Sequence, residues 1–371
     1  MKWPPSHKEK NSHGRDASAS RLFFCADNWP LTAGTGRVSF LLMAAKTTGR
    51  YTLGIDVGGT KILAGLFDQS LKLKAKWKIK TKADRGGDAV IDRIVRAARE
   101  LVEDQGLRMT HVRAIGLGVP GVVIKGRVFN AYNLHWDEVA IQSILRRRLR
   151  VPVFVDNDCN LFTLGIHRVE LKGKPLNMVG AFLGTGFGGG VILNGELFRG
   201  HNYAAGEFGQ MTIDKNGLKT AHSFRGSLES LASRTGIVRH LRKAVLEGEK
   251  TMLQDELGPH LTGVRSRHLR MALAERDSLV KRIVKEAAED TGIGVAAIIS
   301  AFGPEYVMLN GGVIEALHKV MLPIIRKTAT AHVLPGSMEG IKILPSTLGD
   351  DGGIHGAAIF AKESMAARPR R

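Results

Sequence analysis

The chain has 371 residues, a hydrophobic content of 43% and a charged content of 24%, which is typical of a globular protein with one or two domains. Its two cysteines, Cys25 and Cys159, are too few for a disulfide framework or a cysteine-based zinc site, so we expect a reducing compartment, the cytoplasm. The longest apolar runs, such as 295–302, fall far short of the roughly 20 residues that span a membrane. We therefore predict no membrane partner.

The net charge of +19 and the pI of about 10.1 favour contact with polyanions. A basic surface that aids solubility is the competing interpretation. The chain carries no dense basic arm with interleaved aromatic residues, no zinc-finger spacing and no RNA-binding signature. We predict no specific nucleic-acid partner.

Residues 1–50 differ from the rest because they are polar, broken by prolines, and end in a short apolar patch. A secretory signal needs a longer apolar core, and a transit peptide is poor in acidic residues, whereas Glu9, Asp16 and Asp27 are present. We expect a disordered extension or a misassigned start, with Met43 as the alternative first residue.

Predicted strands and helices alternate from residue 51 onward. Apolar residues at period two predict strands, and apolar residues at helical spacing predict helices. Up to residue 158 we predict strands at 51–57, 62–68, 73–81, 112–121 and 151–158, and helices at 87–105 and near 137–149. Beyond it we predict a strand pair within 178–199, helices through 227–301, a strand at 304–312, and helices at 313–329 and 352–363. This order predicts two related α/β halves with a cleft between them.

Three glycine-rich turns each follow a predicted strand. They read DVGGTK at 56–61, GTGFGGG at 184–190 and LNGG at 309–312. In such turns backbone N–H groups approach a ligand closely, and phosphate is an anion that suits them. Asp56 is the kind of oxygen ligand that Mg²⁺ takes when it lies between a carboxylate and phosphates. An ordinary β-turn, a flexible hairpin and a helix cap are the respective alternatives for the three turns.

Polar residues also follow the buried-type strand at 151–158, in the segment VDNDCN at 155–160. Asp158 in this position suits a general base, but a helix N-cap competes, because Asp and Asn are preferred capping residues. A further carboxylate, Glu207, stands between glycines in GEFGQ at 206–210. Glycines at such a place let the backbone come close to a ligand.

Six motifs occur in one order and at one spacing: DVGGTK, GVPG at 118–121, VDNDCN, GTGFGGG, GEFG and LNGG. This ordered set resembles the ROK family of sugar kinases and repressors, within the actin-like, hexokinase-type ATPases, over about residues 51–362. The resemblance implies an α/β, two-lobed actin-like ATPase (ribonuclease H-like) fold with a central cleft. We expect a small lobe from 51–165 plus 350–366, a large lobe from 166–349, and a basic tail at 367–371.

The resemblance also implies roles for individual residues. Asp158 matches the catalytic base of the family, and Asp56 is the residue that would hold Mg²⁺ with the nucleotide. The nucleotide loops match Gly58, Gly59, Thr60, Lys61, Gly184, Thr185, Gly186, Gly311 and Gly312. The sugar site matches Gly118, Asn133, Asn157, Asp158, Glu207 and Glu229, with Gln210 as a further donor and acceptor.

The chain departs from the family at the positions that bind a structural zinc. Members carry a His after the glutamate motif and three cysteines before the last glutamate. Those positions read Gln210, Thr220, His222 and Ser227 here. A single His does not make a four-ligand site, so we predict that zinc is absent. Because the base and the sugar ligands all remain, we interpret the change as replacement of the metal with catalysis kept.

The resemblance implies an ATP-dependent hexose kinase that acts on the 6-hydroxyl of glucose, with ATP and Mg²⁺ as cofactors. Expected partners are a hexose, a nucleotide and a second copy of the chain in a homodimer. Mannose, fructose, N-acetylglucosamine and N-acetylmannosamine stay open as acceptors. A non-catalytic sugar sensor and a transcriptional repressor are the alternative functions.

Overall fold

The computed structural model describes residues 50–217 and 224–367. The predictions for 1–49, for Thr220 and His222, and for 368–371 lie outside these ranges. Each helix within them is too short or too polar to cross a bilayer.

The first part of the fold contains eight strands and three helices. The strands are β1 (Tyr51–Val57), β2 (Lys61–Phe67), β3 (Leu73–Lys80), β4 (Val112–Val119), β5 (Val122–Ile124), β6 (Arg127–Ala131), β7 (Trp136–Val139) and β8 (Val153–Asn157). The helices are α1 (Gly87–Asp104), α2 (Ile141–Leu149) and α3 (Asp158–Gly165). All five strands that the sequence predicts in this part are present.

Five of these strands form one sheet in the order β3-β2-β1-β4-β8. Strand β1 runs antiparallel to β2 and parallel to β4, and β4 runs parallel to β8. Apolar residues of α1 and α2 pack on one face of this sheet. Since β1, β4 and β8 are parallel, their carboxyl ends meet at one edge, and this edge carries Asp56, Gly118 and Asn157.

A small second sheet, β5-β6-β7, was not predicted from the sequence. It also corrects the predicted helix near 137–149, because Trp136–Val139 is a strand and α2 begins only at Ile141. Trp136 is buried and its indole N–H donates to the Gly87 carbonyl at 3.1 Å, which ties the small sheet to the start of α1.

The second part of the fold contains five strands and seven helices. The strands are β9 (Met178–Leu183), β10 (Phe187–Leu193), β11 (Glu196–Phe198), β12 (Tyr306–Asn310) and β13 (Lys342–Pro345). The helices are α4 (Leu228–Ala232), α5 (Arg234–Leu246), α6 (Leu253–Leu257), α7 (Ser266–Ala274), α8 (Ser278–Phe302), α9 (Gly312–Ala331) and α10 (Gly352–Ala366). The five strands form a third sheet in the order β11-β10-β9-β12-β13, and helices from α4 to α9 enclose its main apolar core.

The last helix, α10, returns to the first sheet and packs on β1 and β4 from the face opposite α1. Glycines make this possible, because a Cβ on Gly54 would lie 2.0 Å from the Ile354 carbonyl oxygen and one on Gly116 1.8 Å from that of Ala357. Such a distance is closer than atoms can approach, so only glycine admits the helix here.

Helix α3 connects the two five-stranded sheets. It follows β8 directly and lies against β10, where a Cβ on Gly188 would meet Cys159 Sγ at 2.4 Å and one on Gly190 would meet Thr163 Oγ1 at 2.4 Å. The glycines of β10 are therefore needed for packing against α3 as well as for the turn before them. The lobe boundaries given above stay a prediction.

Candidate active site

The turn between β1 and β2, residues 56–61, is called the first hairpin. Its strands pair as far as Val57 and Ile62, and the Gly58 N–H donates to the Lys61 carbonyl at 2.9 Å. The buried Thr81 hydroxyl donates to the Gly58 carbonyl at 2.6 Å from the opposite side. The turn is thus held through hydrogen bonds to its backbone.

Of the two acidic residues directly before α10, Asp350 reaches this hairpin and Asp351 reaches β3, and the sequence did not single out either of them. Lys61 is paired with Asp350, and Lys78 on β3 donates to the same carboxylate at 3.2 Å. Asp351 accepts from Lys76 at 3.0 Å. The available signal was a pair of acids directly before a glycine-started helix, but nothing local indicates which lysines they would meet.

Asp56 and Asp158 lie on either side of Gly118. A Cβ on Gly118 would be 3.6 Å from Asp56 Oδ1 and 3.4 Å from the Cα of Asp158, so both residues lie within contact distance of this position. Burial, then the negative charge of Asp158, raises the pKa of Asp56 to about 7. The Lys61 charge opposes this shift, and the Asp350 charge adds to it.

Asp158 begins α3, and the capping role falls to its neighbour Asn157. Asn157 Oδ1 accepts from the Asn160 N–H at 3.1 Å, and Asn157 Nδ2 donates to the Gly121 carbonyl at 3.0 Å. The N-cap of α3 is therefore Asn157, and the Asp158 carboxylate does not serve as the cap. Burial raises the pKa of Asp158, although a hydrogen bond from the Cys159 N–H at 2.9 Å acts against the shift.

The turn between β9 and β10, residues 184–187, is called the second hairpin. The Gly184 N–H donates to the Gly186 carbonyl at 2.9 Å, which closes the turn. The start of α5 supports it, since the Arg234 N–H donates to the Gly184 carbonyl at 3.0 Å and Arg234 Nη2 donates to Thr185 Oγ1 at 2.5 Å. Arg234 therefore contacts this turn twice, and no local pattern in the sequence indicated it.

Glu229, in the first turn of α4, also touches the second hairpin. Its Oε2 accepts from the Phe187 N–H at 2.9 Å. This carboxylate was predicted only as a sugar ligand, so its contact with the hairpin is a finding of the tertiary structure.

Glu207 lies on a turn that packs against β10. Gly206 before it has φ +95° and a Cβ there would meet the Gly189 carbonyl at 2.8 Å, so this position requires glycine. The Glu207 side chain is accessible to solvent, yet surrounding protein desolvates its carboxylate and, with the charges of Asp158 and then Glu229, raises its pKa. Two further carboxylates therefore lie within electrostatic reach of Glu207.

The third glycine turn begins α9 beside the second hairpin. Gly311 has φ +95°, and a Cβ there would lie 2.5 Å from the Leu183 carbonyl oxygen at the end of β9. Two of the three glycine turns therefore share one corner of the third sheet.

Asn133 lies instead at the first hairpin, 3.3 Å from where a Cβ on Gly59 would be. Gln210 is half-buried at the end of the Glu207 turn, and its N–H donates to the Glu207 carbonyl at 3.1 Å.

The geometry of these turns fits a nucleotide with Mg²⁺. Near Gly58, Gly184 and Gly312 a Cβ would find no atom closer than 3.5 Å, so the protein's own atoms do not crowd these three positions. Asp56 supplies a carboxylate whose ionised form is disfavoured by desolvation and then by the charges of neighbouring acids, and a cation would offset both effects. Zinc absence stays a prediction, because two of the four positions lie outside the described residues.

The sequence profile of the ROK family matches residues 52–364. A glucokinase of Halalkalibacterium halodurans is 30% identical over 318 residues, which are 85% of this chain and 96% of that protein. The crystal structure of a ROK family glucokinase from Streptomyces griseus in complex with glucose and AMPPNP matches with a TM-score of 0.72 at 29% identity, over 84% of this chain and 99% of that one. A xylose repressor of Caldicellulosiruptor bescii is 27% identical over 90% of this chain and 83% of that protein.

Proposed function

We propose that this chain, which belongs to the ROK family, is an ATP-dependent hexose kinase that phosphorylates the 6-hydroxyl of glucose. The observation that carries the proposal is the placement of Asp158, whose desolvated carboxylate is free of the capping role and whose charge acts on Asp56, with both residues beside Gly118. An acid that accepts a proton next to an acid that suits a cation is the arrangement that phosphoryl transfer to a hydroxyl needs.

In the proposed reaction the sugar O6 attacks the terminal phosphorus of ATP. Its proton goes to the Asp158 carboxylate, the new O–P bond forms, and the bond from phosphorus to the bridging oxygen breaks to leave ADP. Burial raises the pKa of Asp158, which makes the ionised carboxylate a stronger base than an exposed one. Mg²⁺ with the nucleotide supplies charge neutralisation, and Asp56 is the residue that would hold it.

The sugar would lie between the end of β4 and the Glu207 turn. Glu207 and Glu229 are acceptors for vicinal hydroxyls, and Gln210 is both donor and acceptor. Asn157 keeps only its remaining amide N–H and lone pair for the sugar, since its cap and its bond to Gly121 use the others. Gly118 and Asn133 complete the proposed pocket, and the first and second hairpins with Gly311 and Gly312 form the proposed nucleotide site.

The test is Asp158→Asn in a coupled assay for ADP release with glucose, mannose, fructose, N-acetylglucosamine and N-acetylmannosamine. We expect turnover with glucose to fall by about 10²–10⁴-fold, because the base is lost, while glucose binding stays measurable. Full activity of the variant would remove Asp158 from the mechanism. Preference of the wild type for another sugar would change the substrate but not the reaction.

The similarity to the xylose repressor favours one alternative, sugar-responsive DNA binding. A repressor would bind a specific DNA sequence in a salt-sensitive way and release no ADP with any sugar. A sensor would bind sugar, release no ADP and bind no DNA. The same assay and a DNA-shift titration thus separate the three functions, and the proposed cytoplasmic homodimer is compatible with each.

A further inference from the structure

One carboxylate bridges the two halves of the proposed site. Glu229 Oε2 accepts from the Phe187 N–H at 2.9 Å, and a Cβ on Gly186 would lie 2.4 Å from the same oxygen. The carboxylate thus lies directly against the second hairpin at Gly186, which has no side chain to displace it. A carboxylate that accepts from a backbone N–H fixes both its own position and that of the peptide.

The element that carries Glu229 is itself anchored. Ser227 is fully buried, its Oγ caps α4 by accepting from the Ser230 N–H at 3.2 Å, and Thr212 and Ser227 form an isolated β-bridge. The Leu228 N–H donates to the Met211 carbonyl at 2.8 Å. Through these bonds the chain just after the Glu207 turn holds α4, and α4 holds the second hairpin.

The same carboxylate also acts through its charge on the acidic part of the site. Its charge, together with that of Asp158, acts on Glu207, so Glu229 lies within electrostatic range of the proposed sugar ligands. One oxygen is committed to Phe187, which leaves the other for a hydroxyl. A group that binds sugar with one oxygen and the phosphate hairpin with the other connects the two substrates.

We propose that Glu229 is a positioning residue that couples sugar binding to the conformation of the second hairpin, an inference that rests on the proposed kinase function. A hydroxyl that donates to the free oxygen fixes the carboxylate, and the fixed carboxylate holds the Phe187 N–H and the closed turn for the nucleotide phosphates. By thermodynamic linkage, a phosphate bound at the hairpin raises the affinity for sugar by the same factor by which bound sugar raises the affinity for phosphate.

The first test places a change in the hairpin and measures sugar. Gly186→Ala puts a methyl group against the Glu229 carboxylate and displaces it, so the Kd for glucose without nucleotide should rise about 10-fold. Gly184→Ala is the matched control, because its Cβ would meet only the Gly186 carbonyl, at 3.9 Å. Whatever this control does to nucleotide binding, its Kd for glucose should match the wild type.

The second test places a change at Glu229 and measures nucleotide. Glu229→Ala should weaken ADP binding without sugar by about 3–10-fold, because the Phe187 N–H loses its acceptor. Glu229→Gln keeps an acceptor oxygen, so its ADP affinity should stay within about 2-fold of the wild type. A residue that only binds sugar would leave ADP affinity unchanged in both variants, and general damage would affect both.

Calorimetric binding separates failure of this inference from failure of the proposed function. If the wild type binds glucose and ADP but Gly186→Ala keeps its glucose affinity and Glu229→Ala its ADP affinity, the coupling is wrong and the kinase proposal is untouched. If the wild type binds neither ligand, the kinase proposal is wrong, and the coupling proposal falls with it.

Discussion

In the first hairpin the ionised side chains belong to the turn itself, whereas in the second hairpin they reach the turn from neighbouring helices. Asp56 and Lys61 are part of the first, and Asp350 joins them from the start of α10. The second consists of uncharged residues, and Glu229 and Arg234 contact it from α4 and α5. The two turns would therefore meet an anion in different ways.

The first hairpin is surrounded by charged pairs, whereas the second is supported by hydrogen bonds from other elements. A ligand that binds the first hairpin must rearrange its existing ion pairs. Variants of this hairpin should therefore change the pH dependence of activity or stability and the balance of charge between its acids and lysines. The second hairpin is held by hydrogen bonds from outside, so its variants should change how well the turn is positioned. Three predictions follow this division, from the largest expected effect to the smallest.

Asp56→Asn should have the largest effect, and it should act in opposite directions on activity and stability. Turnover should fall by about 100-fold or more, because the proposed cation loses its carboxylate. The pKa of Asp56 is about 7 in the folded protein, above the ordinary 3.8, so the folded state binds more protons than the unfolded state between these values. Stability from this group therefore falls as pH rises from about 4 to about 7, and the variant avoids that loss.

The measurement for Asp56→Asn is urea unfolding at several pH values. At pH 8 the free energy of unfolding should exceed that of the wild type by roughly 1–3 kcal/mol, and near pH 3.5 the two proteins should agree. Asp68→Asn is the control of opposite sign, because hydrogen bonds from Ser70 and Lys72 lower the pKa of Asp68. A stability loss of Asp56→Asn at pH 8 would contradict this account of the first hairpin.

Asp350→Asn should have an intermediate effect, on the nucleotide. Burial acts to raise the pKa of Asp350, but its bonds with Lys61 and Lys78 outweigh burial and hold the pKa below its usual value. Without this acid, Lys61 is free to meet a phosphate, so the KM for ATP should fall by about 2–5-fold. Asp351→Asn is the matched control, because Asp351 pairs with Lys76. A higher KM for ATP in Asp350→Asn would instead assign Asp350 to the binding of the donor or its cation.

Thr185→Val should have the smallest effect. The Thr185 hydroxyl accepts from Arg234 at 2.5 Å, and its loss loosens one support of the second hairpin while the backbone bonds remain. We expect a rise in the KM for ATP of about 2–5-fold, with no change in the pH profile. Thr185→Ser keeps the hydroxyl and should behave as the wild type. A shift in the pH profile of Thr185→Val would erase the distinction between the two hairpins.

The sequence identified the three glycine turns and the acids next to them because these features are local. A buried strand that ends in Asp56 or Asn157 and a turn that needs glycine are both written in a few consecutive residues. The ordered set of motifs then indicated the family, and the family profile and the similar structures agree with it. The small sheet β5-β6-β7 was not predicted, because strands of three to five residues are too short to show a clear hydrophobic period.

By itself, the sequence determined the α/β class, the order of the longer strands and helices, and which carboxylates stand at strand ends or between glycines, because hydrophobic period and backbone freedom act over short distances. Only the tertiary structure decided which groups meet: Lys61 with Asp350, 289 residues further on, and Glu229 with the Phe187 N–H, 42 residues before it. It also gave the cap of α3 to Asn157 and left Asp158 free of it. Such contacts depend on how separate elements pack, which no local pattern of residues encodes.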